Sequence, residues 1–545
     1  GERKFVLFRL FDRLLDRLTS GYMVIVCFLI KIRYIVLLIF CGLLAATYWI
    51  FTITPSRFVP EEDKGVCLVM YNLKPGTAIR RTSQLRKKLE KIILAVPGVE
   101  NMIAVDGYNL LSQTMDSSAG TGFISFKHWN DRTDTAQSGA SIIKNINMQA
   151  AKFSDARIAA FNVPGIPGLG NVGGFDFRLQ DYLAGDINTF VGYADKLIVK
   201  ADKDPRIATA YTSYAPNYPM LAIDIDRKKV NSLGVDMAEL FATMQTYSGS
   251  FYVNDFSKYG KVFRVFVQAD KQFRSDPSDI SKLFVRNKNS DMVPLNALVT
   301  VNFMTAPQDL PHYNLYRAIT INGSAAPGYS SGQAMAAMEE LAEEILPDDG
   351  SFGYDWSGMS YQEKLAGNTK ILVFGFAIIV VYLVLCAQYE SWILPIMILV
   401  SVPLVMLGAL TLQNIAGLDN NLFAQVGLVL LIGLSCKNAI LIVEVAKEQR
   451  ESGVPIIESA LNAAKLRFRA IMMTILSFVF GVIPLAVASG AGAMTMRSIG
   501  TIVLGGMVAA TFISTMLVPV IFVLLESLRE RFINIEEVVK KRELL

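Results

Sequence analysis

Stretches without a charged residue constrain this chain more than any other feature of its sequence. The uncharged stretches are residues 34–56, 371–388, 391–413, 470–496 and 498–525. At a rise of about 1.5 Å per residue, the first stretch makes a helix about 34 Å long, which crosses a hydrocarbon core of about 30 Å. Residues 421–443 add a further apolar stretch that contains Lys437. Together these stretches predict an α-helical membrane bundle of six transmembrane helices.

The composition excludes several classes of protein. Hydrophobic residues make up 52% of the 545 residues and charged residues only 18%, and a net charge of +4 gives no reason to expect nucleic-acid binding. Of the five cysteines only Cys67 lies away from the apolar stretches, so no disulfide between soluble segments is expected. The two histidines belong to no metal-spaced cluster and no phosphate-binding loop is present. The sequence therefore predicts a non-enzyme without a metal site or an organic cofactor.

Basic residues predict the orientation. They flank the first apolar stretch, follow the last one and occupy the segment 447–469, so the positive-inside rule places both termini in the cytoplasm. The first 20 residues alternate arginines with bulky apolar residues, which predicts an amphipathic helix at the membrane surface. The predicted membrane-associated segments are an interfacial helix at 1–33, a first span at 34–56, spans two to six at 367–525 and a cytoplasmic tail at 526–545.

The long polar segment after the first span predicts an α+β domain outside the membrane, which is the periplasm in a cell with two membranes. Alternating apolar patterns predict the order βαββαβ in a first subdomain, and a similar pattern starts again at Gly174. This order is typical of ferredoxin-like split βαβ subdomains. The predicted subdomains are a first at 57–165, a second at 166–213 and 308–366, and an inserted third at 214–307.

Lys437 is the most informative single residue. We expect it about 13 Å inside the cytoplasmic end of its helix. A lysine at the bilayer centre costs about 2.5–3.5 kcal/mol on insertion scales, a cost that a carboxylate partner or water normally offsets. Glu444 lies two turns away and is a poor direct partner, and the spans of this chain offer no other carboxylate. Lys437 is interpreted as part of a proton or ion relay, with a snorkelling lysine as the alternative.

Two sequence runs around these positions carry a resemblance to a known family. GLSCKNAILIVE at 433–444 and LRFRAIMMT at 466–474 resemble the C-terminal half of resistance–nodulation–division (RND) multidrug exporters, in their hydrophobe/amphiphile efflux branch. Further matching runs are PEEDKG at 60–65, GFDF at 174–177, YVNDF at 252–256 and GYDWSGMSYQ at 353–362. The resemblance covers essentially the whole chain. It implies an antiporter that uses proton influx to export amphiphilic or hydrophobic compounds, with the proton as coupling ion.

The resemblance also implies roles for individual residues of the membrane part. Lys437, Thr474 and Arg467 match the proton relay, in which the lysine pairs with two aspartates of the N-terminal half, on the same or a separate chain. By this reading the chain is not a complete pump. Thr474 could instead bond to its own helix backbone, and Arg467 could serve as an anchor at the cytoplasmic surface.

For substrates, the resemblance implies two binding regions in the first subdomain. The glycine-bounded segment 107–120 matches a switch loop between them. The matching positions are Ile103, Tyr108, Leu110 and Phe126 in the distal pocket and Phe161 and Val163 at the proximal entrance. The alternative for each of these side chains is a place in the ordinary core of the subdomain.

The expected surroundings follow from the same family. They are an inner-membrane homotrimer, a periplasmic adaptor protein and an outer-membrane channel. Two alternatives remain open at this stage. A heavy-metal exporter of the same family is one, although the methionines show no clustered ligands. A non-transporting relative that acts through protein interactions is the other.

Overall fold

The computed structural model describes the backbone of residues 6–532 and the side chains of residues 15–367 and 372–530. The chain forms two compact units. Within the described residues, the first comprises 6–73, 79–213 and 311–532, and the second comprises Lys74–Ala78 and Tyr214–Leu310. The sequence predicts an insertion at 214–307 and gives no sign that the short segment 74–78 belongs with it. Most of the predicted tail at 526–545 lies outside the described residues.

Two nearly continuous helices open the chain: α1 (Val6–Lys31) and α2 (Arg33–Ile53). The predicted amphipathic helix therefore extends well beyond the first 20 residues. Its second half packs into the helical core, where the Tyr22 ring stacks on Phe468 at 4.2 Å between ring centroids. The Tyr22 hydroxyl also donates to the backbone carbonyl of Thr515 at 3.1 Å. Pro55 follows the end of α2, and its ring cannot continue a helix ladder.

The first sheet has the predicted order strand, helix, strand, strand, helix, strand. Its elements are β1 (Val66–Asn72), α3 (Ile79–Leu94), β2 (Val99–Asn109), β3 (Thr114–Phe126), α4 (Gly139–Ala150) and β4 (Arg157–Asn162). The strands are antiparallel in the order β2-β3-β1-β4. Alternate residues of β1, namely Cys67, Val69 and Tyr71, pack against the apolar faces of α3 and α4. Both helices therefore cover one face of this sheet and leave the other face free of helices.

The second sheet begins with β5 (Phe175–Asp181), α5 (Ile187–Ala201) and β6 (Ile207–Tyr211). The second unit follows in the chain, with β7 (Tyr218–Ile225), α6 (Arg227–Ser232), α7 (Met237–Met244), β8 (Phe251–Lys258), β9 (Lys261–Val267), β10 (Phe284–Arg286), β11 (Met292–Pro294) and β12 (Val299–Ala306). Its strands pair two by two, β7 with β12, β8 with β9 and β10 with β11. The sequence predicts only the strands at β7 and β9, because the others are short or alternate less regularly.

The chain then completes the second sheet with β13 (His312–Tyr313), β14 (Tyr316–Ala325), α8 (Ser331–Ile345) and β15 (Phe352–Trp356). The strands lie in the order β13-β14-β5-β15, and β6 also pairs with β14. Phe177 of β5 is fully buried between the Tyr354 and Trp356 rings of β15, both at 5.1 Å between centroids. These aromatic contacts fix the pairing of the two strands.

The remaining helices are α9 (Gly358–Tyr389), α10 (Leu394–Leu399), α11 (Ser401–Ile415), α12 (Leu422–Glu451), α13 (Ile456–Ala486), α14 (Ala493–Ala509) and α15 (Thr515–Phe532). By length and apolar composition, six helical stretches of the described chain could cross a membrane: Arg33–Ile53, Leu372–Tyr389, Leu394–Ile415, Leu422–Glu451, Ile456–Ala486 and Ala493–Glu530.

One predicted span has the wrong boundaries. The uncharged stretch 470–496 is not a single helix, because α13 already begins at Ile456 and ends at Ala486. A turn follows in which Gly490 and Gly492 adopt φ values of +95° and +70°. Such left-handed conformations end a helix and favour glycine, which has no Cβ to clash. Absence of charge therefore located the membrane part but not the turn inside it.

Glycines set the distance between α11 and α14. A Cβ on Gly505 would lie 2.6 Å from the Gly408 carbonyl oxygen and 2.7 Å from the Leu412 Cβ. A Cβ on Gly408 would in turn lie 2.2 Å from the Ala509 Cβ. The two backbones are in direct contact, so Gly505 is a close helix-packing site.

Candidate functional site

Lys437 lies on the one face of α12 that the described helices leave uncovered. The exposed residues Leu422, Val426, Leu430, Gly433, Lys437 and Glu444 recur every three, four or seven positions and so form one stripe along the helix. The opposite face, with residues such as Leu428, Ile432 and Ala439, is buried in the helical core. The lysine therefore points out of the bundle from the middle of a long apolar helix.

Lys437 has no ionic partner among the described residues. The ion pairs of α12 join Lys447 to Glu451 and Arg450 to Glu530, all near the cytoplasmic end predicted from the basic residues. The helix extends to Glu451, about 21 Å from Lys437, but four of its last five residues are charged, so the distance from Lys437 to the end of the apolar part stays about 13 Å.

Arg467 and Thr474 stand beside this position on the next helix. A short turn connects α12 to α13, so the two helices run antiparallel and pack together. At about 1.5 Å per residue, Arg467, Lys437 and Thr474 lie about 17, 21 and 27 Å from this turn. The predicted relay residues therefore occupy successive heights along one helix pair.

The hydrogen bonds of Thr474 and Arg467 differ. The Thr474 hydroxyl donates to the backbone carbonyls of Ala470 and Ile471 at 3.2 and 2.9 Å, as threonines in membrane helices often do. Thr474 is nevertheless exposed, so its oxygen is accessible from the open side of α13. Arg467 is half-buried, and its Nε has no hydrogen-bond partner among the described residues.

The helix-free face of the first sheet brings together two of the predicted substrate residues. In the strand register Ile103 lies opposite Phe123, Phe123 opposite Leu68, and Leu68 opposite Phe161. These four residues form a single apolar row across all the strands, and directly opposed side chains lie about 5 Å apart at Cβ. Ile103 is 69% exposed and Phe123 is 40% exposed, whereas Leu68 is buried. The row is an open apolar surface at one end.

Phe126 points to the other face of the sheet. It is three positions from Phe123, and an odd separation along a strand reverses the side-chain direction. Phe126 is buried in the core beneath α3 and α4, and the Arg132 guanidinium lies 5.3 Å from its ring centroid. Phe123, which was not among the residues expected from the sequence, shares a face with Ile103, as strand parity indicates. Val163 lies just past the end of β4 and is half-buried.

The predicted switch loop at 107–120 is mostly a β-hairpin. Strands β2 and β3 pair as far as Asp106 and Gly120, the pairing is interrupted at Gly107 and at residues 116–119, and it resumes with Tyr108 opposite Met115 and Asn109 opposite Thr114 before the turn. Tyr108 lies in β2 and Leu110 in the turn, and both are half-buried. The buried Asn109 side chain accepts from the Leu111 and Ser112 backbone N–H groups at 3.0 and 3.4 Å and so fixes the turn.

Asp106 anchors the base of this hairpin. Its carboxylate accepts hydrogen bonds from the Tyr71 hydroxyl (2.6 Å), the Ser83 hydroxyl (2.6 Å) and the Arg86 Nε (3.0 Å). Burial alone would raise the pKa of Asp106, but these hydrogen bonds and the Arg86 charge lower it below its ordinary value. The Tyr71 ring crosses Gly120, where a Cβ would lie 2.3 Å from ring atoms. These contacts hold the hairpin to α3 and β1.

Replacing Asp106 by Asn is expected to weaken the hairpin by about 1–3 kcal/mol near pH 7, because a neutral amide makes weaker hydrogen bonds to these donors. Since the folded-state pKa of Asp106 is lowered, its contribution is complete above about pH 4 and is lost as the pH falls through that pKa. Hydrogen exchange of β2 and β3 amides, measured from about pH 7 down to about pH 3 with correction for intrinsic exchange, should show a difference between the proteins that closes on acidification. A difference independent of pH would contradict the anchoring role.

A cavity lies elsewhere, in the second unit. It has a volume of about 420 Å³ and is lined by residues that include Tyr247, Phe273, Leu283, Phe284 and Met292. None of the predicted site residues lies in it. Among the described residues no group of three or more His, Cys, Asp or Glu side chains is placed to hold a metal ion.

Comparisons with known proteins all indicate the same family. Residues 1–526 match the AcrB/AcrD/AcrF family. The multidrug export protein AcrF of Escherichia coli K12 is 38% identical over 496 residues, which cover 90% of this chain and 47% of that protein. The toluene efflux pump membrane transporter TtgB of Pseudomonas putida is 35% identical over 520 residues, which cover 95% of this chain and 49% of that protein. The multidrug resistance protein MdtF of E. coli O157:H7 is 35% identical over 543 residues, which cover 98% of this chain and 51% of that protein. The chain thus spans about half the length of the curated relatives it matches.

Proposed function

The chain belongs to the AcrB/AcrD/AcrF family, and we propose that it acts as one half of a secondary active transporter that exports amphiphilic or hydrophobic compounds in exchange for protons. The names of its relatives, which include multidrug, toluene and solvent pumps, support this substrate class. No organic cofactor is required in this proposal, because the proton is the coupling ion.

The observation that carries the proposal is the position of Lys437. It is exposed on the open stripe of α12, far from the helix end and without an ionic partner in the described residues. Carboxylates from outside this chain segment that face the ammonium would offset its cost in a membrane. The attraction between an ammonium and carboxylates is lost when the carboxylates are protonated, so proton binding can change the attraction between the two sides of the membrane bundle.

We further propose that this chain corresponds to the C-terminal half of its relatives and that aspartates of the N-terminal half complete the relay. The coverage of about half of each relative is compatible with this assignment. Along the axis of the helix pair, Arg467 lies closer to the α12–α13 turn than Lys437 does, and Thr474 lies farther from it. Both are proposed as further relay residues. The apolar stretches are proposed to be six transmembrane helices in the bacterial inner membrane, with cytoplasmic termini and two ferredoxin-like periplasmic subdomains that carry the inserted third one.

The apolar row on the first sheet is proposed as part of the substrate path. Ile103 and Phe161 are its predicted members, and Phe123 takes the place first assigned to Phe126. Tyr108 and Leu110 on the hairpin and Val163 beyond β4 are proposed to border the same path. An open apolar surface with few polar groups suits weakly specific binding of amphiphilic compounds.

Phe123→Ala is expected to lower export more than stability, and Phe126→Ala is expected to lower stability. Phe123 is 40% exposed, so its removal should cost only about 1 kcal/mol of stability while it reduces export of amphiphilic cations such as ethidium. Phe126 is 6% exposed, so its removal should cost about 3–4 kcal/mol through the cavity it leaves. Ethidium export by cells with each variant and the melting temperature of each purified variant decide which phenylalanine belongs to the substrate path. Normal export by Phe123→Ala would remove that residue from the proposed path.

The assembly is proposed to be a homotrimer that works with a periplasmic adaptor protein and an outer-membrane channel. Such partners would carry exported compounds across the second membrane. Size-exclusion chromatography with light scattering on the complete pump would report the number of copies.

Dye accumulation in cells tests the proposed function. Cells that contain the complete pump should accumulate less ethidium than cells without it, and a protonophore should abolish the difference. Equal accumulation with the pump present and assembled would contradict the transport proposal. In that event copper and silver tolerance would test the heavy-metal alternative, and failure of both assays would favour a non-transporting role.

A further inference from the structure

A short charged segment links the helical bundle to the first sheet. Residues 60–65 follow α2 and lead directly into β1. Three consecutive side chains in this segment, Glu62, Asp63 and Lys64, each bind a different part of the fold. Apart from a local hydrogen bond from the Gly65 N–H to Asp63, these contacts join residues far apart in the chain.

Glu62 caps the first turn of α14. Its Oε1 accepts hydrogen bonds from the Thr495 backbone N–H and from the Thr495 hydroxyl, both at 2.7 Å, and its Oε2 accepts from the Met494 N–H at 3.3 Å. Gly492, the residue before the helix, has no side chain that could accept a hydrogen bond from these N–H groups. A carboxylate at this end satisfies N–H groups that have no partner within the helix and also interacts favourably with the helix dipole.

Asp63 and Lys64 hold the same segment to the first sheet. The Asp63 carboxylate accepts from both terminal nitrogens of Arg132, at 2.8 and 3.2 Å, and from the Gly139 N–H at the start of α4, at 3.0 Å. Arg132 is buried, so this bidentate ion pair is shielded from water. The Lys64 ammonium donates to the carbonyls of Pro164 and Gly165 at 2.8 and 2.7 Å.

A second hydrogen bond extends the connection to the helix that carries Lys437. Asn421 is the N-cap of α12, where its side-chain oxygen accepts from the Ala424 N–H at 3.0 Å. Its Nδ2 donates to the Ser498 hydroxyl of α14 at 2.9 Å, and both residues are buried. Ser498 and the Glu62 contact lie within the first two turns of α14. The outer ends of α12 and α14 are thus joined to each other and to Glu62.

We propose that Glu62 is a coupling residue that transmits movement of α12 and α14 to the first sheet. The connection runs from Asn421 through Ser498 to the capped turn of α14, then through Glu62 and Asp63 to Arg132 and α4. Each step is a hydrogen bond or ion pair between described atoms, except that Glu62 and Asp63 are joined as neighbours in the chain. The inference rests on the proposed function, because it assigns to this connection the transfer of a proton-driven change in the membrane to the substrate path.

An experiment can distinguish a loss of coupling between proton movement and ethidium transport from a loss of proton movement itself and from unfolding. The complete pump is reconstituted in lipid vesicles, and ethidium transport and proton flux are measured on the same preparation. Glu62→Ala is compared with Glu61→Ala, which removes the same charge from the neighbouring position. Glu61 has a side chain 65% exposed and pairs only with Arg57 among the described residues. Ser498→Ala breaks the link between α12 and α14 at a different point, and melting temperatures show whether each variant is folded.

The expected result is a fall of about tenfold or more in ethidium transported per proton for Glu62→Ala, with proton flux retained and Glu61→Ala unchanged. Ser498→Ala should lower the same ratio, and the double variant should be no worse than Glu62→Ala because both changes interrupt one connection. An unchanged ratio in folded Glu62→Ala, or equal losses in Glu62→Ala and Glu61→Ala, would overturn the coupling role. Wild-type vesicles that move ethidium without protons would instead contradict the proposed function.

Discussion

Lys437→Ala should reduce ethidium export to the level of cells without the pump while the protein still assembles. The variant removes the only basic group on the open stripe of α12 between Leu422 and Glu444. Removing an ammonium from the middle of a membrane helix relieves an insertion cost of about 2.5–3.5 kcal/mol, and the proposed carboxylate partners can become neutral by binding protons, so assembled pump is still expected. The measurement is dye accumulation normalised to the amount of assembled pump in the membrane.

Lys437→Arg is the matched control for this prediction. Arginine keeps the positive charge and can pair with carboxylates, but it does not release its proton at accessible pH. A purely structural ion pair would therefore be preserved in Lys437→Arg, whereas a relay that requires the lysine to change protonation would fail. Export by Lys437→Arg at the wild-type rate would show that Lys437 acts as a fixed positive charge and does not release its proton, and export by Lys437→Ala would exclude it from the relay.

Gly505→Ala should destabilise the helical bundle although it adds a single methyl group. The new Cβ would lie 2.6 Å from the Gly408 carbonyl oxygen, and a backbone atom of a packed helix cannot move aside as a flexible side chain can. Forced separation of α11 and α14 should cost about 1–3 kcal/mol or more. The melting temperature of the purified pump in detergent and the fraction that survives heating measure this loss.

Gly481→Ala provides the comparison at a helical glycine with free space. Gly481 lies in α13, and a Cβ there would have no neighbour within 4 Å. Alanine forms helices better than glycine, so this change should be neutral or stabilising by up to about 1 kcal/mol. Equal melting temperatures for the two variants would show that the close contact of α11 and α14 does not limit stability.

The sequence identified most elements of the first sheet because their apolar periodicity is strong. It also located the apolar helices, since an apolar stretch of about 20 residues without charge is the length that a membrane-crossing helix needs. It misplaced boundaries inside the uncharged stretch 470–496, where the turn depends on the backbone of Gly490 and Gly492. It named Phe126 for the distal pocket, whereas the structure places Phe123 and not Phe126 on the face that carries Ile103, because side-chain direction alternates along a strand.

Other features depend on contacts that no local pattern contains. Glu62 and Thr495 are far apart in the chain, and a glutamate before a strand gives no sign that it caps a distant helix. The open stripe around Lys437 likewise becomes visible only when the packing of α12 against its neighbours is known. The chemical expectation of a missing carboxylate came from the sequence, whereas the accessible face to which that carboxylate would bind came from the structure.

Proton flux in reconstituted vesicles tests the central claim most directly. The complete pump is placed in vesicles with an imposed proton gradient, and the internal pH is followed before and after addition of ethidium. We expect ethidium to accelerate proton movement through the wild-type protein and to have no effect in vesicles that contain an equal amount of assembled Lys437→Ala. Ethidium-stimulated proton movement of the same rate through both proteins would contradict a relay that depends on Lys437.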